Sequence, residues 1–321
     1  MFERVSLRDI DSDDETFRIS EELDSDRLRQ SLAEVGQLHP LTLAAAKGGS
    51  LTVVSGFRRL HAIRSLGGEN VLARICGPDS QTALQLFRPA FWENLSHRTL
   101  NALEAARALH VLSRACALAP DAIVSEYLPP LGLAPRLEVL RSYLRLNDLP
   151  EAARRLVCQG LLTPRTAERL ASMEPENRET LAAVLAKVRL SASRQRQFLD
   201  LVQEAARLRG TSPARLLAEP EIAGALSTPA RSPFEKGAAI FEIVFRQRHP
   251  RLTRARCEFE AGKLRLSLPP NVRLSPDPYF ESPVVRVEFE ASSLAGFQAS
   301  AEALMRASHS DALAALFEDK P

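Results

Sequence analysis

The feature that most constrains the fold is a long helical pattern that lies between two segments with strand-like patterning. From about residue 80 to 218, alanine, leucine and arginine dominate and β-branched residues are few, a composition that favours helices. Prolines and glycines interrupt this pattern at intervals typical of the ends of single helices, at Pro120, Pro129, Pro130, Gly132, Pro150, Gly160, Pro164, Pro175 and Gly210. We therefore expect a central all-helical domain.

The residues before this stretch have the pattern of a small α/β domain. Gly36 predicts the end of a helix that begins near Asp24, and Gly56 predicts the start of a second helix that ends at Gly67 and Gly68. The predicted strands lie at 5–10, 41–43, 51–54 and 71–75, with a hairpin turn at 47–49. We expect this domain to span residues 1–95.

The last 90 or so residues change character again. Alternating residues predict a β-hairpin of 254–260 with 263–268, followed by a strand at 284–289 and two short helices. The expected fold class is α+β, with an N-terminal α/β domain (1–95), a central helical domain (96–218), a linker (219–233) and a small C-terminal α+β domain (234–321).

Charge and cysteine content limit the classes of protein. The net charge is +2, but residues 1–26 hold ten acidic residues against three arginines, so the rest of the chain is basic. A basic body is typical of polyanion binding and equally of a solvated arginine-rich surface. Four widely spaced cysteines without a CxxC pair argue against a zinc site and a disulfide framework. The absence of a long apolar run or a basic leader predicts a cytoplasmic protein without membrane partners.

The first candidate site is the strand-to-helix turn at Gly56, which is followed by Arg58 and Arg59. Free N–H groups at a helix start attract anions, and an arginine there can neutralise a phosphate. Glu93 and Asn94 form a second candidate, because adjacent oxygen donors are typical Mg²⁺ ligands beside substrate phosphates. Solvated arginines and a helix-terminal pair without a ligand are the alternatives.

The third candidate is a helix-turn-helix between residues 123 and 146, with a glycine-containing turn. Its second helix carries side chains that can contact phosphates or guanine edges, namely Arg136, Arg141, Ser142 and Arg145. Two packed helices with solvated arginines would have the same pattern.

In this order, the motifs over about 165 residues resemble the ParB-type family of chromosome-partition and nucleoid-occlusion proteins. An arginine at Arg18 precedes the acidic helix, and the further boxes are G-Q-L-H-P (36–40), G-F-R-R-L-H-A (56–62), E-N-L-S-H (93–97), R-L-N-D-L-P (145–150) and G-L-L-T-P-R-T-A (160–167). The resemblance implies a ParB/sulfiredoxin-like N-terminal domain that binds CTP with Mg²⁺. It also implies a helix-turn-helix that binds double-stranded DNA.

Carried over by resemblance, the nucleotide-binding residues are Arg18, Gly36, His39, Pro40, Gly56, Arg58, Arg59, His61 and His97. Glu93 and Asn94 would hold the metal, and no residue is assigned a catalytic role. The resemblance further implies a nucleoid-associated homodimer that can close as a clamp on DNA. A ParA-type ATPase is a further expected partner, although the acidic N-terminus holds no evident basic motif for it.

Several positions depart from the family pattern. Phe57 replaces the glutamate of its box, and His61 and His97 replace arginines, so fixed charge is lost beside the phosphates. We therefore expect nucleotide binding to survive while any weak CTPase activity is impaired. Phe57 also occupies the cysteine position of sulfiredoxins, which excludes thiol chemistry. A nuclease or kinase-like enzyme with Glu93 or His61 as base, and an adaptor that has lost both ligands, remain as alternatives.

Overall fold

The computed structural model describes residues 2–11, 13–45, 49–77 and 81–317. The architecture is mixed α+β, as the sequence indicates. The strands are β1 (Glu3–Ser6), β2 (Ile10–Asp11), β3 (Leu41–Ala45), β4 (Leu51–Ser55), β5 (Asn70–Cys76), β6 (Val272–Pro276) and β7 (Val285–Phe289).

Helices make up most of the described chain. They are α1 (Asp26–Val35), α2 (Phe57–Ser65), α3 (Ala83–His97), α4 (Ala102–Arg114), α5 (Pro120–Ala122), α6 (Leu137–Arg145), α7 (Glu151–Cys158), α8 (Pro164–Ala171), α9 (Pro175–Lys187), α10 (Ala192–Leu208), α11 (Pro213–Leu217), α12 (Pro220–Ser227), α13 (Pro233–Arg248), α14 (Pro250–Arg265), α15 (Leu294–Ser308) and α16 (Asp311–Phe317). None of these helices combines the length and apolar character that crossing a bilayer requires.

The first five strands form one sheet in the order β1-β5-β3-β4-β2. The β1–β5 and β3–β4 pairs are antiparallel, whereas β3–β5 and β2–β4 are parallel. All five residues of β4 are buried, so this strand lies at the centre of the N-terminal core. Helix α2 packs Leu60 and Ile63 against the apolar residues of the sheet, among them Leu41, Leu43 and Val53.

A second core begins at α3 and continues into the helical region. Phe87 and Phe91 of α3 are fully buried and belong to one apolar cluster with Leu109 and Leu112 of α4 and Leu140 of α6. Phe57 packs against both this cluster and the sheet core. Because it fills the space between two apolar cores, Phe57 has a packing role where the family pattern has a charged residue.

By its internal contacts the chain divides into two units, residues 1–196 with 229–236, and residues 197–228 with 237–321. Both units contain buried apolar side chains. In the second unit, Phe259 of α14, Leu274 of β6 and Leu316 of α16 form the small apolar cluster of the C-terminal region. The three-domain division expected from the sequence stays a prediction.

The prediction of a β-hairpin at 254–260 and 263–268 is wrong, because α14 occupies most of this region. Gly262, interpreted as its turn, lies inside the helix against α16, where an added Cβ would lie 2.6 Å from Leu316 Cδ2. The glycine therefore permits close helix packing rather than a turn. The strand expected at 284–289 is present as β7, and it pairs antiparallel with β6, which the sequence did not reveal.

Three further expectations concern connecting segments. The segment 219–233, interpreted as a linker, contains α12, whose Ile222 and Leu226 are buried. The turn expected at 47–49 lies largely outside the described residues, although β3 and β4 on either side of it pair as a hairpin. Between α4 and α6 the chain forms α5, a π-helical turn (Ile123–Tyr127) and a 3₁₀ turn (Pro129–Leu131), and Gly132 then adopts a left-handed φ of 73°.

Candidate functional site

The turn between β4 and α2 has a geometry that only glycine fits well. Gly56 adopts φ 106°, and a Cβ at this position would lie 2.9 Å from Leu41 Cγ. Helix α2 then begins at Phe57 without a side-chain cap on its first turn. The first N–H groups of a helix have no partner within the helix, so this turn presents donors that favour an anion.

A cavity of about 400 Å³ opens at this turn. It brings together seven residues predicted as ligand-binding, namely His39, Gly56, Arg58, Arg59, Glu93, Asn94 and His97. Its remaining lining residues are Phe17, Ile19, Ser20, Leu28, Val54, Ser55, Phe57 and Arg98. Residues from the sheet, from α2 and from α3 thus converge at one place, although their roles stay predictions.

The two arginines of α2 have different environments. Arg59 donates from Nη1 to the carbonyl oxygens of His39 (2.9 Å) and Pro40 (2.7 Å), and its Nη2 lies 3.8 Å from Glu93 Oε1. Burial lowers the pKa of Arg59, and the charge of Glu93 offsets only part of this shift. Arg58 Nε, in contrast, is buried and has no hydrogen-bond partner within the described chain. Arg58 therefore has a free donor beside the cavity.

The adjacent oxygen donors of α3 are held by neighbouring side chains. Glu93 Oε2 accepts a hydrogen bond from Ser55 Oγ at 3.0 Å. Asn94 donates from Nδ2 to the Ala90 carbonyl oxygen at 2.9 Å. The Oδ1 atom of Asn94 is therefore the part of the side chain that can accept a hydrogen bond or bind a cation. The described residues contain no group of three metal-ligating side chains. A carboxylate and an amide oxygen fit Mg²⁺ only where phosphate oxygens and water complete the coordination.

Four of the predicted nucleotide-binding residues do not line this cavity. Arg18 donates to the carbonyl oxygens of Ser20 and Glu21, both at 2.8 Å, and pairs with Glu15. Gly36 caps α1, and Pro40 contributes its carbonyl to Arg59. His61 is exposed on α2 and away from the cavity. Of the two candidate bases for an enzyme, only Glu93 is therefore in the site.

Sequence reasoning missed Arg98 and Ser20. Arg98 Nη1 donates to both carboxylate oxygens of Glu104 at 2.6 Å, and its Nη2 donates to Ser20 Oγ (3.2 Å) and Asn94 Oδ1 (3.3 Å). The available signal was the presence of an arginine one position after His97. Arg98 follows the end of α3 with an extended backbone and lines the cavity. Ser20 had no signal in the sequence.

A network of ion pairs between side chains links the segment before α1 to α4 and α7. Glu21 accepts hydrogen bonds from Arg107 Nε of α4 (2.7 Å) and Arg154 Nε of α7 (2.6 Å). Burial would raise the pKa of Glu21, but the hydrogen bond from Arg154 and the charges of both arginines outweigh it. The pKa therefore lies below its ordinary value.

The predicted DNA-binding residues lie on α6 and at its start. Arg136, Arg141 and Arg145 are exposed, and within the described chain none of their guanidinium groups has an ion-pair partner. Ser142 is half-buried, and its Oγ donates to Glu168 Oε2 of α8 at 2.6 Å. Three of the four predicted DNA-binding side chains are therefore arginines without an ion-pair partner in the described chain. The fourth, Ser142, already donates a hydrogen bond to Glu168.

Together, the fold and the cavity define a mixed α+β protein in which two arginines at the start of α2 and a Glu-Asn pair near the end of α3 line one cavity. No protein-family model matches the chain. It is 26% identical over 156 residues to the probable chromosome-partitioning protein ParB of Campylobacter jejuni, a match that covers 49% of this chain and 52% of that protein. The chain thus spans about half the length of the curated relative it matches. On this match the chain is similar to a protein of the ParB-type family.

Two solved structures of C-terminally truncated ParB from Caulobacter crescentus are also similar. One, complexed with CTP-γ-S, has 22% identity and a TM-score of 0.26 and covers 58% of this chain and 98% of that one. The other, complexed to the centromeric parS site, has 23% identity and a TM-score of 0.27 and covers 57% of this chain and 90% of that one.

Proposed function

We propose that this chain is a DNA-binding partition-type protein whose binding to DNA is controlled by a nucleoside triphosphate. The observation that carries the proposal is the convergence of Gly56, Arg58, Glu93 and Asn94 on one cavity. These residues come from two motifs about 35 positions apart, and their meeting is what a phosphate-and-metal site requires. CTP is the nucleotide implied by the family resemblance.

In this proposal the triphosphate lies at the start of α2. The free N–H groups after Gly56 and the unpartnered Arg58 Nε donate to phosphate oxygens. Glu93 and Asn94 hold Mg²⁺, whose charge neutralises the phosphates when it is bound. Arg59 has two bonds to backbone carbonyls, so its part is to fix the 39–40 segment at the cavity wall.

DNA binding is assigned to α6. Arg141 and Arg145 are four residues apart and therefore share one helix face, and Arg136 precedes the first turn. Free guanidinium groups in this arrangement can bind phosphates or guanine edges of double-stranded DNA. The helix-turn-helix role of the 123–146 region is part of this proposal, as are a cytoplasmic location on the nucleoid and a ParA-type ATPase partner.

A homodimer is the proposed assembly. In the C-terminal region, large apolar side chains on and beside β7 and α15 are exposed, namely Val284, Val287, Leu294, Phe297 and Met305. Exposed apolar surface of this kind is typical of a protein interface, and a two-stranded sheet is rarely stable without a covering surface. A second copy of this chain is the partner we propose for it.

Calorimetric titration with CTP, ATP, GTP and UTP tests the proposal, with and without Mg²⁺ and with and without duplex DNA. We expect binding of one triphosphate that depends on Mg²⁺ and changes with DNA. Arg58→Gln should weaken that binding. Arg88→Gln should leave it unchanged, because Arg88 is an exposed residue of α3 outside the cavity. No binding of any triphosphate by the folded protein would refute the proposed function.

A further inference from the structure

The cavity contains one arginine that the family motifs do not assign to it. The fifth position of the E-N-L-S-H box is His97, so the box lacks the guanidinium of the family pattern. Arg98, one position later, lines the same cavity as Arg58, Glu93 and Asn94. Helix α3 ends at His97, and the extended backbone of Arg98 (φ −160°, ψ 157°) begins a new direction of the chain.

The orientation of Arg98 is determined by a buried carboxylate. Glu104 is 5% exposed, and both of its oxygens accept from Arg98 Nη1 at 2.6 Å. Glu104 also accepts from the Asn101 backbone N–H, which completes the capping box of α4. A charged pair held at this distance with additional hydrogen bonds has a fixed geometry. The guanidinium is therefore positioned by the first turn of α4.

The other end of this guanidinium has weaker bonds. Its Nη2 donates to Ser20 Oγ at 3.2 Å and to Asn94 Oδ1 at 3.3 Å, both long for a hydrogen bond. An anionic phosphate oxygen is a stronger acceptor than a hydroxyl or an amide oxygen. These two bonds can be exchanged for bonds to a phosphate while Nη1 stays on Glu104.

We propose that Arg98 is a phosphate-binding residue of this cavity and replaces the guanidinium that is missing at position 97. Glu104 is its positioning residue, and it acts on the ligand only through Arg98. Because Asn94 Oδ1 accepts from Arg98, a phosphate that takes over the guanidinium also frees this oxygen for a metal ion. The inference rests on the proposed triphosphate site and adds to it the residue that compensates for His97.

The test is titration of the full-length chain with Mg²⁺ and the triphosphate that the wild type binds. Arg98→Gln should weaken binding about tenfold to hundredfold, as expected for loss of a charged hydrogen bond. Arg98→Lys should weaken it less, because lysine keeps the charge but lacks the planar fork. Glu104→Gln should weaken binding in the same direction, and Arg88→Gln should leave it unchanged.

Arg98→Gln leaves the Glu104 carboxylate buried without its partner and can therefore impair folding. The double variant Arg98→Gln/Glu104→Gln keeps a hydrogen-bonded amide pair, and thermal denaturation shows whether it is folded. A folded double variant that binds the triphosphate as tightly as the wild type overturns this inference alone. A wild type that binds no triphosphate overturns the proposed function and this inference together.

Discussion

Ser55 Oγ donates a hydrogen bond to Glu93 Oε2 at 3.0 Å, and this bond joins the end of β4 to the C-terminal half of α3. The two residues are 38 positions apart. Ser55 directly precedes the 56–62 motif and Glu93 begins the 93–97 motif, and each motif by itself is weak evidence for a site. Their contact turns two local patterns into one site.

Replacing Glu93 by glutamine should separate metal binding from packing. The amide oxygen can still accept from Ser55, but it lacks the charge that Mg²⁺ prefers. We expect the Mg²⁺-dependent affinity for triphosphate to fall by about tenfold or more, with little change when EDTA is present. Glu34→Gln, an exposed residue of α1, is the control. Equal loss with and without Mg²⁺ would argue against a metal ligand.

Gly56→Ala should destabilise the N-terminal core. The new Cβ would meet Leu41 Cγ at 2.9 Å, and φ 106° is unfavourable for alanine. Backbone strain of this kind costs about 1–3 kcal/mol. Gly132→Ala is a matched control, since Gly132 has φ 73° but no atom within 4 Å of an added Cβ. Chemical denaturation should show a greater loss for Gly56→Ala, and an equal or smaller loss would contradict the steric argument.

Glu21→Gln should remove the charged hydrogen bonds to Arg107 and Arg154, with a loss of about 2 kcal/mol in the free energy of unfolding. Because the pKa of Glu21 is lowered in the fold, its contribution is fully present above the ordinary carboxyl pKa of 4.5. The contribution is lost as the pH falls through the folded-state pKa. Unfolding measured from neutral to acid pH should therefore show the wild type and the variant converging only at acid pH.

Removing Arg141 or Arg145 should reduce the salt dependence of DNA binding. Each arginine that neutralises a phosphate releases counterions, so each substitution by glutamine should lower the slope of log affinity against log salt by about 1. Arg155→Gln is the control, because that exposed arginine of α7 pairs with Glu151. If the slope stays the same in all variants, α6 does not contact the DNA backbone.

Two cysteines should be unreactive at neutral pH. Burial raises the pKa of Cys116 and of Cys158 to about 11, and for Cys158 nearby acidic residues add to this shift. Since the thiolate is the nucleophile, alkylation at these positions should be slow in the folded protein. Cys257 is exposed on α14 and should react first. Mass spectrometry after limited treatment with iodoacetamide gives the order of modification.

Local sequence patterns predicted much of the N-terminal fold. The glycines at 36 and 56 mark the end of α1 and the start of α2, and short apolar runs mark β3, β4 and β5. These features depend on φ angles and on residues a few positions apart, so a short window of sequence contains them. Gly262 shows where this reasoning fails, because the same residue type that predicts a turn also permits two helices to pack closely.

The sequence by itself determined that a glycine precedes an arginine-led helix, that an adjacent Glu-Asn pair lies on a later helix, and that most of the chain is helical. Only the tertiary structure decided that Arg98 joins the cavity while His61 and Arg18 stay outside it. It also decided that Ser142 is engaged by Glu168. The reason is that side-chain partners depend on how distant helices and strands pack, and residue order does not specify the direction of a side chain after a helix end.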